Sequence, residues 1–210
     1  VEGDFDDCLK MLMTDIEEEY KFKAGRAVLT DHSRHVTEKD KKRPLIYLSG
    51  FERYDADGVE VFEKMKEICA EYGYEAISPL DHAPGVMDTD SDNPYMKAMN
   101  LFDRFQQHVR NCDIIIANLN DYRGYEINND VAFECGMGFE LGKKLYGYMD
   151  NTDKLTNRIP SLGADREYRD QTGSNVEDFD YPANLMFGSS MKIFEGKFES
   201  IIKKVIEDIS

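Results

Sequence analysis

The sequence predicts an α/β fold in which a parallel sheet is flanked by helices, and three observations predict it. Leu45-Ile46-Tyr47-Leu48-Ser49 and Asp113-Ile114-Ile115-Ile116-Ala117-Asn118-Leu119 are apolar runs without alternation. The second is β-branched at its centre, as expected of strands covered on both faces. Segments with apolar residues at helical spacing separate such runs, so strands and helices alternate. A length of 210 residues allows one ordinary domain with an appendage, long enough to bury a sizeable core.

Taken in order, residues 4–23 place Phe5, Leu9, Leu12, Ile16 and Tyr20 on one helical stripe with an acidic face opposite. This predicts an added N-terminal helix, docked on the core or on a second subunit, or serving as a partner-binding arm. Residues 25–43 are polar and end Glu38-Lys39-Asp40-Lys41-Lys42-Arg43, a linker. Residues 1–43 therefore read as helix and linker, and 44–210 as the main domain. Residues 45–49 form the first strand, and Gly50 with Asp55-Ala56-Asp57-Gly58 forms the loop after it. In a doubly wound sheet such a loop lies at the carboxyl edge, where ligands bind. Val61, Phe62, Met65, Ile68 and Cys69 mark a helix over 58–72, and 74–79 a second strand. Residues 80–93 make a long acidic loop in which Asp81 either meets a sugar hydroxyl or is simply solvated.

A helix over 94–111 carries Met96, Met99, Leu101, Phe102, Phe105 and Val109, a stripe read as core. After the strand at 113–119 and a polar loop to 129, a helix begins near Asp130, and Leu145-Tyr146-Gly147-Tyr148 resumes a strand. Gly136, Gly138 and Gly142 fall in that helix or at its end. An interior glycine costs about 1 kcal/mol against alanine, so the sheet, a neighbouring subunit or a ligand must approach that backbone closely. Residues 149–181 read as an excursion with little regular structure. Asn184-Leu185-Met186 returns to the core, and 191–209 reads as a closing amphipathic helix. Four strands follow, with a short fifth late in the chain.

With 42 acidic against 26 basic residues, the formal charge of -16 opposes a nucleic-acid backbone and an anionic membrane surface. No signal peptide and no apolar run of membrane-spanning length is read, so a soluble cytoplasmic protein is expected. Cys8, Cys69, Cys112 and Cys135 show no paired spacing and read as buried thiols in a reducing compartment. His32, His35, His82 and His108 form no metal pattern, and neither a metal nor a cofactor is expected.

One carboxylate stands where chemistry would want it. Glu134 lies near the start of the glycine-studded helix, where the dipole favours its ionised form. Glu140 is six residues on, about 240° round the helix, so the two cannot face one site. Asp130 lies one turn before Glu134 on the same face. Like charges there would raise the pKa of one and supply a proton donor; the other reading of Asp130 is a helix N-cap.

Tyr47-Leu48-Ser49-Gly50, Cys112-Asp113, Asn128-Asn129-Asp130-Val131-Ala132-Phe133-Glu134-Cys135-Gly136 and Asn184-Leu185-Met186 occur in an order that resembles the nucleoside 2-deoxyribosyltransferase family. The loop Tyr122-Arg123-Gly124-Tyr125-Glu126 also resembles the one before the family's helix. The resemblance covers residues 44–209. It implies a flavodoxin-like doubly wound sheet and cleavage of an N-glycosidic bond through a covalent glycosyl-Glu134, with the Tyr47 hydroxyl as its hydrogen-bond partner. It carries substrate-binding roles to Gly50, Phe51, Asp81, Asp103, Asn128, Asn184 and Met186. It implies a nucleoside and a free nucleobase as partners, and a homodimer or higher homo-oligomer in which Asn184 reaches a neighbour's site. The chain departs from the pattern at Phe51 (proline), Phe105 (Asp or Asn), Asn128 (aspartate), Asp130 (glycine) and Val131 (threonine). These changes in the base-binding shell keep open an N-glycoside hydrolase of nucleosides or nucleotides and a non-catalytic nucleotide-sensing module.

Overall fold

The computed structural model describes residues 43–83, 92–162 and 168–209. The chain separates into two compact units, Val1–Lys41 and Lys42–Ser210. The expected N-terminal helix, its linker and Cys8 lie outside the described residues.

The second unit is a five-stranded sheet in the order β2-β1-β3-β4-β5, parallel at every pairing. Its strands are β1 (Ile46–Ser49), β2 (Ala76–Ile77), β3 (Ile114–Asn118), β4 (Lys144–Met149) and β5 (Lys192–Glu195). This is the flavodoxin-like order, whose switch point lies between β1 and β3. β1 and β3 are buried along their whole length. That is why their sequences are continuously apolar instead of alternating.

Helices cover both faces. α1 (Gly58–Glu71) and α5 (Phe198–Ile209) pack Phe62, Met65, Cys69, Phe198, Ile201, Ile202 and Val205 against Ile46, Leu48, Ile114, Ile116, Tyr146 and Tyr148. On the other face α2 (Pro94–Asn111), α3 (Asn129–Glu140) and α4 (Leu185–Ser190) set Val109, Val131, Cys135 and Phe187 against Tyr47, Ile115, Ala117 and Leu145. Cys69, Cys112 and Cys135 are free, buried thiols. Among the described residues no helix is long and apolar enough to cross a membrane.

Four expectations are corrected. β2 is only two residues long. The closing helix begins at Phe198, because Lys192–Glu195 pairs with β4 and Gly196, at φ +123°, interrupts any helix there. Asn184-Leu185-Met186 opens a helix. The stripe on α2 is core only near its end: His108 and Val109 are buried, whereas Met96, Met99, Leu101 and Phe102 are exposed.

The α3 glycines separate by role. A Cβ on Gly138 would lie 2.4 Å from Ile115 Cδ1 and 3.2 Å from Leu145 Cδ2, so the helix rests directly on the sheet there. Gly136 has nothing within 4 Å of such a Cβ. Gly138→Ala is expected to cost about 1–3 kcal/mol through overpacking. Gly136→Ala is expected to add about 1 kcal/mol of helix stability to an isolated chain. Denaturant midpoints of the two variants check both.

Candidate active site

The carboxyl ends of β1 and β3 and the start of α3 meet at the switch point. Tyr47 and Ser49, two residues apart on β1, point to the same side of the sheet, the side that α3 covers. Glu134 sits one turn into α3 on its buried face, 5 % exposed. Tyr47 Oη donates to Glu134 Oε1 at 2.8 Å, and Ser49 Oγ donates to Oε2 at 2.5 Å. Both carboxylate oxygens are therefore oriented by a buried strand that is paired on both sides.

The ionised state expected from the helix start is corrected by burial. Desolvation pushes the Glu134 pKa up to about 7, against the downward pull of the Ser49 and Tyr47 hydrogen bonds and the Arg53 charge. Glu134 is thus near the midpoint of its titration at neutral pH. Tyr47, fully buried and beside that carboxylate, titrates well above its ordinary value and remains a donor. Its ring stacks on His108 at 5.7 Å between centroids. His108 Nε2 donates to the Asp81 carbonyl at 3.0 Å, and burial lowers its pKa, so the ring is neutral.

Glu134 opens into a cavity of about 340 Å³ lined by Phe102, Phe105, Gln106, Asn129, Asp130, Phe133 and Met137. Phe102 and Phe133 meet edge to face at 5.9 Å. Three phenylalanines and a methionine beside the Glu134 and Asp130 carboxylates suit a flat, uncharged ring better than an anion.

The remaining predicted residues are placed as follows. Gly50 is buried just past β1, and a Cβ there would lie 1.9 Å from Glu52 Oε2, so a side chain at this position would displace the Glu52 carboxylate. Phe51 is half-buried at the edge, its ring 5.2 Å from that of Tyr122. Asn128 is the N-cap of α3: its Oδ1 accepts from Asp130 N at 2.9 Å and Val131 N at 3.4 Å, which spends the oxygen that a base would need. Asp130 is accordingly not the cap. It lines the cavity, accepts from the Tyr54 hydroxyl and forms an ion pair with Arg53. Burial alone would raise its pKa, but the Tyr54 and Arg53 contacts prevail and lower it, so the proton of the acidic pair resides on Glu134 and not on Asp130.

Asp81 and Asp103 are not brought to Glu134. Asp81 Oδ2 accepts from Ser78 N at 2.7 Å and Oδ1 pairs with Lys66 at 2.5 Å, which ties the loop after β2 to α1. Asp103 lies on the exposed face of α2, and Phe105 takes the position facing the cavity. Asn184 caps α4, accepting from Met186 N at 3.1 Å, and Met186 is 70 % exposed. Both line a separate groove of about 450 Å³ with Ala132, Gly136 and Phe139 of α3, on the helix face turned away from Glu134.

Three residues that build the surroundings of Glu134 and the strand ends escaped sequence reading. Ser49 sits inside the apolar β1 run, and only the period of two relative to Tyr47 would have flagged it. Glu52 is buried, its Oε1 accepting from Asn118 Nδ2 at 2.7 Å and Tyr148 Oη at 3.0 Å, so it clasps the carboxyl ends of β1, β3 and β4. Arg53 lies between the rings of Tyr54 (4.3 Å) and Phe105 (4.7 Å). No spacing rule marks either residue.

Comparison with known proteins bears on the family and the fold. Residues 46–186 match the family model described as Nucleoside 2-deoxyribosyltransferase. A 2-desoxiribosyltransferase from Leishmania mexicana shares the fold with a TM-score of 0.62 and 25 % identity, over 79 % of this chain and 98 % of that one. A 2-deoxyribosyltransferase from Bacillus psychrosaccharolyticus gives a TM-score of 0.45 at 16 % identity, over 75 % of this chain and 89 % of that one. An uncharacterized protein of Schizosaccharomyces pombe is 26 % identical over 131 residues, 62 % of this chain; the match spans 58 % of that protein's length.

Proposed function

Because the chain belongs to the nucleoside 2-deoxyribosyltransferase family, we propose that it transfers 2-deoxyribose between nucleobases, cleaving the N-glycosidic bond of 2'-deoxynucleosides through a glycosyl ester on Glu134. One observation carries the reading: a buried carboxylate, oriented on both oxygens by Tyr47 and Ser49, at the end of an aromatic-walled cavity. The base stacks among Phe102, Phe105 and Phe133, which places the anomeric carbon over Glu134. Glu134 attacks in its ionised form as the base departs, and a second base attacks the ester from the vacated side, so configuration is retained overall. The Tyr47 and Ser49 donors keep the carboxylate aimed and relieve its charge when it is expelled.

The second groove extends the proposal to assembly. Asn184 and Met186 lie with the open Gly136 backbone on the outer side of α3, where a second copy would bring them to its own neighbour. A sedimenting homo-oligomer is expected, and a fully active monomer would contradict it.

A panel of 2'-deoxynucleosides incubated with and without free adenine or hypoxanthine, followed by chromatography, tests the function. A new deoxynucleoside appearing only when the second base is added is expected. Release of base and free deoxyribose without transfer would establish a hydrolase instead, and binding without turnover a sensing module.

A further inference from the structure

In the cleavage proposed above, the departing base meets only neutral amide donors from Gln106 and Asn129 of the cavity lining, and none of them carries a charge. Asp130 is held ionised by its contacts, Asn128 has committed its oxygen to capping α3, and Phe105 offers no polar atom. We propose that Arg53 reads and stabilises the departing base, and that it selects a 6-oxopurine, hypoxanthine or guanine, over adenine. The inference rests on the transferase reading of the same cavity.

The geometry of Arg53 carries it. The 3-10 turn Phe51–Tyr54 that follows β1 carries the side chain to two residues of the cavity lining. There its guanidinium lies over Phe105 and contacts Asp130, two residues that line the cavity with Glu134. It is 17 % exposed, and its charge is felt at Glu134 itself. Its bonds to Asp130 and to the Tyr54 hydroxyl run through Nη2. They orient a fork that carries five N–H donors in one plane. A preorganised cation at a partly water-excluded position stabilises developing negative charge without reorganising during the reaction.

The reaction places such charge on the base. The bond from C1' to N9 breaks with its electron pair left on N9, a Glu134 oxygen forms the new bond to C1', and the purine anion later takes a proton from water. In a 6-oxopurine that pair delocalises toward O6 and N7, adjacent acceptors on one edge and the pattern that a guanidinium bonds bidentately. In adenine the same edge carries the N6 amino donor beside N7, which faces the arginine donor to donor. A ring stacked on the cavity phenylalanines brings one edge toward the Phe105 and Asp130 side of the lining, which Arg53 contacts.

Arg53→Met keeps a stem that packs between Tyr54 and Phe105 while removing charge and donors. The experiment compares kcat/KM of wild type and variant on 2'-deoxyinosine, 2'-deoxyadenosine and 7-methyl-2'-deoxyguanosine, whose base is already cationic and departs neutral. Losing a preorganised donor to developing charge typically costs 10²–10³-fold, so a loss of about that size is expected on 2'-deoxyinosine, with less than about tenfold on the other two substrates. Arg53→Lys, which keeps the charge and loses the fork, should recover part of the deoxyinosine rate and serves as the second variant if Arg53→Met folds poorly. Equal losses on all three substrates, with normal wild-type turnover, would overturn the inference alone. A wild type that cleaves none of them would overturn the transferase reading and this inference together.

Discussion

Replacing Glu134 with alanine is expected to lower turnover of a 2'-deoxynucleoside by about 10⁴-fold or more, the scale on which removal of a nucleophile acts. Glu140→Ala should leave the rate within about twofold, because Glu140 ends α3 as an exposed residue and its loss is an ordinary surface change. Single-turnover kinetics on both variants check the contrast. The intermediate can be trapped directly with a 2'-fluoro-arabino nucleoside, whose fluorine destabilises the oxocarbenium-like state and slows release of the ester. Its sugar should appear by mass spectrometry on the peptide containing Glu134. An adduct on Glu140, or normal turnover in Glu134→Ala, would refute the mechanism.

The second large effect is on stability as a function of pH. Folding raises the Glu134 pKa from 4.5 to about 7, chiefly by burial. Between those values the folded state holds a proton that the unfolded chain has released, so this group's contribution is retained below pH 4.5, declines as pH rises, and levels off above about 7. At 1.36 kcal/mol per pKa unit the full loss is about 3 kcal/mol. Glu134→Gln abolishes the charge but leaves one of the two donors facing an amide nitrogen, so its stability relative to wild type should rise by about 3 kcal/mol from pH 4 to pH 8, whatever the offset at pH 4. Turnover runs the opposite way. The ionised carboxylate attacks, so kcat should rise with pH through about 7 and then flatten. A wild type that gains stability over Glu134→Gln between pH 5 and 8 would show that the carboxylate is not desolvated as described.

These two expectations expose a trade-off in the site. The burial that makes Glu134 costly to ionise also removes the water that would weaken its attack, and Tyr47 and Ser49 offset part of the cost with two hydrogen bonds. Tyr47→Phe removes one of those bonds and should move the kcat profile to higher pH, measurable as a shifted midpoint. Ser49→Ala should act in the same direction.

Much of the fold was legible because burial on both faces writes itself into composition. β1 and β3 were readable as continuous apolar runs, α1 and α2 as helical stripes, and the start of α3 was placed to within a residue, although its pattern ran on to Lys144 and the helix ends at Glu140. A short fifth strand was expected late in the chain but not located, and α4 was not read: Lys192–Glu195 is only partly buried and carries charges at both ends, so little in it distinguishes a strand from the start of a helix. The exposed methionines of α2 misled for a related reason: an apolar stripe records that a face seeks cover, not what covers it.

Sequence alone determined the alternation of strands and helices and singled out Glu134 and Tyr47 as a pair, because these follow from local periodicities and from residue types in a fixed order. Tertiary structure alone decided which polar groups meet. Ser49 reaches Glu134 across 85 positions of chain, and Arg53 reaches Asp130 across 77. Structure also decided that Asn128 caps the helix that Asp130 was equally able to cap, that Asp81 belongs to Lys66, and that Glu134 carries a raised pKa although its place on the helix argued for a lowered one. In each case the outcome depends on desolvation and on partners from distant segments, quantities that exist only once the chain has closed around them.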